Sequence, residues 1–287
     1  MNHDKTIPMW YTENKGGIPM LYNAQNGSLT LDGTTMDYIR FGTGSQILVM
    51  LPGLGDSLRT TKGTALPVSV MYRMFAEDFT VYAFSRKTDL PMGYTTRDMA
   101  RDVKSAMDTL GIQKAHVFGV SMGGMIAQHF AADYPEAVEK LILTVTCARP
   151  NPILIESVQE WIRLAKENDH AAFMDSNLRR IYSDGYYRKN RHLIPILGRL
   201  TKPNSYDRFF VQANACLNHD AYDRLSMIRA ETLVIGGGQD NALGGDASRE
   251  IADAIDGAIL KMYPLWGHGL YEEAPDFNRT VLDFLRS

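Results

Sequence analysis

Long apolar runs are missing from this chain, and none approaches the length needed to cross a bilayer. The first residues, Met1-Asn2-His3-Asp4-Lys5-Thr6-Ile7-Pro8, lack the apolar core of a secretory signal. Cysteine is scarce. Cys147 and Cys216 stand far apart without metal-ligand spacing, which reads as two buried thiols in a reducing compartment rather than a disulfide. A strong charge of one sign is also absent: the net charge of −3 gives no reason to expect nucleic acid or an anionic membrane as partner. No repeat or low-complexity tract is visible. The expectation is a cytoplasmic protein acting on a small molecule, as a monomer or homodimer. What is present is ordinary for a globular protein: 287 residues, 45% hydrophobic and 22% charged. A core of that size needs no staples.

The informative stretch is His116-Val117-Phe118-Gly119-Val120-Ser121-Met122-Gly123-Gly124-Met125. Ala115–Val120 is apolar and partly β-branched, which suits a parallel strand buried on both faces. Met125–Ala131 continues as a helix, closed by Tyr134-Pro135. Between them lies Gly-x-Ser-x-Gly. A serine is pushed out of a tight strand-to-helix turn only if the residues two before and two after lack side chains that would clash. A helix starting just after Ser121 also aims free N–H groups at any oxyanion formed there.

The rest of the chain supplies a frame. Ser28–Leu31 and Thr35–Phe41 flank the turn signal Asp32-Gly33 and read as a hairpin. Strands follow at Gln46–Leu51, Phe79–Phe84, Ala115–Val120 and Val138–Val145, separated by helices at Pro67–Glu77, Thr95–Gly111 and after Ser121. The order predicts a mostly parallel α/β sheet with helices on both faces. From residue 149 to 227 the pattern turns helical, at Ile153–Asn168, His170–Tyr182, Arg188–Leu200 and Tyr206–Leu217. This predicts a helical cap insertion at 149–227 within a core of 1–148 and 228–287. The sheet resumes at Glu231–Gly236 and ends at Ala258–Tyr263, before the helix Ala274–Arg286. Residues 1–27 read as an irregular arm or an added strand.

A serine hydroxyl needs a base, usually a histidine oriented by a carboxylate. In a parallel sheet such groups gather at the carboxyl ends of strands. His268 follows the last strand, between Gly267 and Gly269, and Asp240 follows Gly236. The chain order is then nucleophile Ser121, acid Asp240, base His268. Asp246, Asp220 and Asp223 compete for the acid role, Asp246 reading better as a helix cap. Among the other histidines, His116 begins a strand away from the site, and His129 lies two turns down the serine helix. His3, His170 and His192 read as exposed, and His219 as a candidate substrate contact. The loop Pro52-Gly53-Leu54-Gly55-Asp56-Ser57 follows a strand beside the serine strand. Its backbone is suited to donate the Leu54 N–H to an oxyanion, with Met122 N–H as the second donor. It is no phosphate loop, since no Gly-Lys-Ser/Thr ending is present. Gly53 and Trp266 are candidate substrate contacts. Phe173, Tyr182, Tyr186, Phe209 and Phe210 could line a pocket, although such aromatics more often pack in a core.

Leu51-Pro52-Gly53-Leu54-Gly55-Asp56-Ser57, Gly119-Val120-Ser121-Met122-Gly123-Gly124, Gly236-Gly237-Gly238-Gln239-Asp240 and Gly267-His268-Gly269 together resemble the α/β-hydrolase superfamily over residues 28–287. Within it the chain is similar to small capped esterases, lactonases and cofactor-free haloperoxidase-like enzymes. The resemblance implies an eight-stranded α/β-hydrolase fold, the triad Ser121, Asp240 and His268, and oxyanion donors at Leu54 and Met122. Two departures stand out. Pro52-Gly53 replaces a frequent His-Gly, and Ser85-Arg86-Lys87-Thr88-Asp89-Leu90-Pro91 replaces Asp-x-x-Gly-x-Gly-x-Ser. The second argues against epoxide hydrolases and dehalogenases. The expected activity is hydrolysis of a small carboxylic ester, lactone or thioester, needing no metal or organic cofactor. An acyltransferase, a C–C bond hydrolase and a non-catalytic ligand receptor are the alternatives on the same residues.

Overall fold

The computed structural model describes residues 21–287. Residues 1–20, and most of the expected N-terminal arm with His3, lie outside them. Strands β1 (Gln25–Leu31) and β2 (Thr34–Phe41) form an antiparallel hairpin. Asp32 and Gly33 turn it with φ of 50° and 78°, the left-handed pair that matches strand twist in a two-residue loop. Then come β3 (Gln46–Leu51), β4 (Phe79–Lys87), β5 (Ala115–Val120), β6 (Val138–Thr144), β7 (Glu231–Gly237) and β8 (Ile259–Tyr263). All eight join one sheet in the order β1-β2-β4-β3-β5-β6-β7-β8. From β4 through β8 every neighbouring pair is parallel. The carboxyl ends of β3, β5, β6, β7 and β8 therefore share one edge.

Helices α1 (Ala65–Met71), α2 (Thr96–Thr109), α3 (Met122–Asp133), α9 (Ala247–Ala254), α10 (Leu270–Glu273) and α11 (Phe277–Arg286) flank the sheet. Between β6 and β7 run α4 (Pro152–Lys166), α5 (His170–Ile181), α6 (Asp184–Asn190), α7 (Ile194–Leu200) and α8 (Asp207–Leu217). Two apolar clusters cover the two faces. One packs β5, β6 and their neighbours against α2 and α3, and the other packs the opposite face against α11. Helix α2 illustrates the local logic. Thr95 and Asp98 form a capping box, Met99, Val103, Ala106 and Met107 are buried, and Gly111 stops the chain at φ 72°. Full burial of a side chain such as Met99 or Val103 is worth about 1.5–3 kcal/mol. Thr95→Ala would remove the cap at a cost of about 1 kcal/mol.

Three local expectations are corrected. The helix predicted over Pro67–Glu77 ends at Met71, and a 3-10 turn Arg73–Phe75 follows. The helix predicted over Arg188–Leu200 is two. α6 starts earlier, where the Ser183 side chain accepts from the Tyr186 N–H, and a 3-10 turn Arg191–Leu193 separates it from α7. Pro195 sits at the second position of α7, where it offers no N–H and disfavours helix continuity through the preceding turn. His170, expected at the surface, is buried, held by Tyr206 Oη at 2.6 Å and Thr201 Oγ1 at 3.1 Å.

Candidate active site

Ser121 stands between β5 and α3 with φ 54° and ψ −122°, a region that costs a non-glycine residue of order 1–3 kcal/mol. Its N–H donates to Thr144 O at 2.9 Å, and its carbonyl accepts from Gly124 N at 2.8 Å. The flanking glycines are there because nothing larger fits. A Cβ at position 119 would stand 2.5 Å from Gly123 O, and one at position 123 would stand 1.9 Å from Leu51 O. The second contact draws the first turn of α3 against the end of β3.

That approach brings the 52–57 loop beside the serine. A Cβ on Gly53 would lie 3.3 Å from Ser121 Cβ and 3.8 Å from Oγ. Leu54 opens the 3-10 turn Leu54–Ser57, and Met122 is the first residue of α3. Amides at these helical positions have no intrahelical partner, and the helix dipole favours negative charge there.

The acid and histidine loops meet directly. His268 Nδ1 lies 2.8 Å from Asp240 Oδ2, with both residues buried. Asp240 Oδ1 accepts the N–H groups of Ala242 and Leu243, each at 2.9 Å. A carboxylate only accepts, so Nδ1 carries the proton and Nε2 is left as the acceptor. Backbone bonds stitch the two loops together: Gly238 N donates to Tyr263 O, and Gln239 N to Trp266 O, both at 3.0 Å. Among the described residues Ser121 Oγ makes no hydrogen bond to His268. The structure thus joins Asp240 to His268, joins Ser121 to the Gly53 loop, and sets both pairs on one sheet edge.

The other candidates lie elsewhere. Asp246 occupies the first position before α9, but its side chain is exposed and makes no cap bond. Asp220 accepts from Tyr222 N, and Asp223 is exposed. The Trp266 ring packs against the α11-side core cluster. Phe173 and Phe209 are core residues in contact with each other. His219 is buried, bonded to Thr96 Oγ1 at 2.9 Å and packed edge-on against His129 at 5.1 Å. Burial, with repulsion from Arg224, pushes His129 down to about 4. Burial, with repulsion from His129, pushes His219 down to about 3. His116 pairs with Gln46 at the far end of β5. Cys147 and Cys216 are buried free thiols, and burial raises the pKa of both. Among the described residues no cluster of His, Cys, Asp or Glu could hold a metal ion.

Three charged residues beside the site escaped sequence reasoning. Asp56 is buried under the loop between Arg86, at the end of β4, and Arg208, on α8. Their partners are separated by 30 and 152 positions along the chain, so no local pattern signals them.

The sequence matches the family described as alpha/beta hydrolase fold over residues 46–181. It is 30% identical over 274 residues to the 2-hydroxy-6-oxononadienedioate/2-hydroxy-6-oxononatrienedioate hydrolase of Burkholderia vietnamiensis (strain G4 / LMG 22486), covering 89% of this chain and 93% of that protein. The chain belongs to the α/β-hydrolase family. This α/β-hydrolase is also 29% identical over 266 residues to the 2-hydroxy-6-oxo-6-phenylhexa-2,4-dienoate hydrolase of Comamonas testosteroni, covering 87% and 90% of the two chains. Among solved structures, the enol-lactonase of Burkholderia xenovorans LB400 has the same fold, with a TM-score of 0.76 and 24% identity over 91% of this chain and all of that one. The relatives are named as hydrolases, and this member of the family is a hydrolase.

Proposed function

We propose that this α/β-hydrolase cleaves small carboxylic esters or lactones through an acyl-enzyme on Ser121. The observation that carries the reading is the Asp240–His268 contact, buried at the same sheet edge as the strained Ser121 turn. His268 Nε2 takes the Ser121 proton as Oγ attacks the carbonyl carbon. The oxyanion is held by the N–H groups of Leu54 and Met122, each worth about 10²–10³ in rate. His268 then protonates the departing alkoxide. Water, deprotonated by His268, attacks the acyl-enzyme, and His268 returns that proton to Ser121 Oγ as the acid is released. Asp240 keeps the imidazole in one tautomer and stabilises its charged form. The helices between β6 and β7 serve as a cap over this edge, with Gly53 lining the floor.

A second reading is hydrolysis of a C–C bond next to a ketone, favoured by the names of the two curated relatives. Compounds so named carry carboxylates and no ester. A cation gives a carboxylate its strongest, charge-assisted hydrogen bonds. Arg208 is engaged with Asp56, and Arg180 with Glu156 and Glu160, so neither is a free cation for such a carboxylate. Turnover of p-nitrophenyl acetate, butyrate and octanoate, with fluorophosphonate labelling mapped by mass spectrometry, tests the first reading. Ser121→Ala should abolish both. Equal turnover by the two proteins, with no label on Ser121, would sink it. Loss of the dienol absorbance of 2-hydroxy-6-oxo-6-phenylhexa-2,4-dienoate, without ester turnover, would favour the second.

A further inference from the structure

The carbonyls of the 52–57 loop are gripped from behind by the buried ion cluster. Arg86 Nη2 donates to Pro52 O at 2.5 Å and to Gly53 O at 3.3 Å. Asp56 Oδ2 accepts the Arg86 backbone N–H at 3.0 Å and Arg208 Nη2 at 2.6 Å, and lies 3.8 Å from Arg86 Nη1. Arg208 also donates to the carbonyls of Asp56, Arg86 and Lys87. The side chains of Arg86 and Asp56 are 4% and 1% exposed, so this is an interior device.

A trans peptide directs its C=O and N–H to opposite sides. With the Gly53 carbonyl turned to Arg86, the Leu54 N–H of the same peptide is turned away from it. Gly53 also lies against Ser121. We propose that Arg86 is a positioning residue that fixes the Leu54 N–H towards Ser121, and that Arg208 locks Arg86 through Asp56. This rests on the roles given to Ser121 and Leu54 under the proposed function. Gly53 and Gly55 leave the loop free to rotate its peptide planes when that grip is lost. A rotated plane withdraws one of the two donors. An arginine suits the task, because its rigid planar head holds Nη2 against both carbonyls while Nη1 stays near the Asp56 carboxylate, whereas lysine offers a point charge. The helical segment thereby reaches the reacting atoms through α8 without touching substrate.

The test compares wild type, Arg86→Lys and Arg208→Met. Each is assayed for p-nitrophenyl butyrate turnover, and for inhibition by an alkyl trifluoromethyl ketone and by the matching methyl ketone. The trifluoromethyl ketone forms a tetrahedral oxyanion adduct on serine, while the methyl ketone reports ground-state binding. Arg86→Lys should lower kcat about tenfold to a hundredfold, within the worth of one oxyanion donor, with KM little changed. Affinity for the trifluoromethyl ketone should fall in parallel, and that for the methyl ketone should hold. Arg208→Met should show the same pattern more weakly. If Arg86→Lys does not fold, Arg208→Met decides by the same split. Wild-type values in the folded variants, or equal loss for both ketones, would overturn the proposal alone. A wild-type protein that carries no label on Ser121 and turns over no ester would overturn the underlying reading, and this one with it.

Discussion

Among the ties between the sheet edge and the helices that join β6 to β7, two differ most in chemistry. At the 52–57 loop the tie is ionic and interior: Arg208 meets Asp56, which is shared with Arg86. At the histidine loop it is made of hydrogen bonds. Gly269 N donates to Ile181 O at 2.6 Å, Tyr182 Oη to Glu272 at 2.8 Å, and Ser183 N and Oγ to Glu273 at 2.9 and 2.7 Å. The contrast teaches which tie is brittle. Removing one member of a buried ion cluster strands the others without solvent, whereas a severed bond to a carboxylate at the margin leaves it other partners.

The largest effect should fall on chemistry rather than on either tie. Asp240→Asn keeps the shape of the histidine loop but cannot hold the same imidazole tautomer. Ester turnover should drop roughly 10³–10⁴-fold in kcat with folding intact. A smaller loss than tenfold would mean another carboxylate serves His268. Next comes the ionic tie. Asp56→Ala leaves Arg86 buried without its carboxylate and should cost about 3–5 kcal/mol in urea unfolding. A cost similar to that of Tyr182→Phe would erase the contrast between the ties.

A pH series sharpens it further at the root of the segment, where His219 packs on His129. Both imidazoles are neutral in the fold, at about 3 and about 4, against 6.5 when exposed. On acidification the unfolded chain binds protons first. Stability is therefore full above pH 6.5 and falls as the pH drops towards 4. The double variant His129→Gln/His219→Gln should flatten that slope in urea titrations across the window, and an unchanged slope would assign acid sensitivity elsewhere. The smallest effects belong to the hydrogen-bonded tie. Tyr182→Phe and Ser183→Ala should each cost about 1 kcal/mol, read as a shift in urea midpoint.

Much of the frame was legible because it is periodic. The strands from β2 to β8 carry continuous or alternating apolar residues, whereas β1 begins with the polar Gln25-Asn26-Gly27-Ser28, and the Thr95–Asp98 box with Gly111 marks the ends of α2. The Asp240–His268 pairing was legible because both residues follow strands in a parallel sheet. Features that depend on distant partners were hidden. The burial of His170 needs Tyr206 and Thr201 to satisfy its ring. The early start of α6 depends on Ser183, a weak local signal without Glu273 behind it. The Arg86–Asp56–Arg208 cluster joins three segments that look like solvated charge in the sequence.

One backbone bond has a further consequence. Ala221 N donates to Ala148 O at 2.8 Å, so the chain leaves the β6 side and comes back at nearly the same point. A loop rooted in this way starts and ends at one point, although Leu154, Trp161 and Phe209 share a core cluster with β5 and β6. Its length and content could be traded for another through a single doorway, leaving the β6–β7 register as it is. A replacement lacking an arginine at the place of Arg208 would leave Asp56 to Arg86 alone, so a graft could inherit the triad residues and still lose part of their setting.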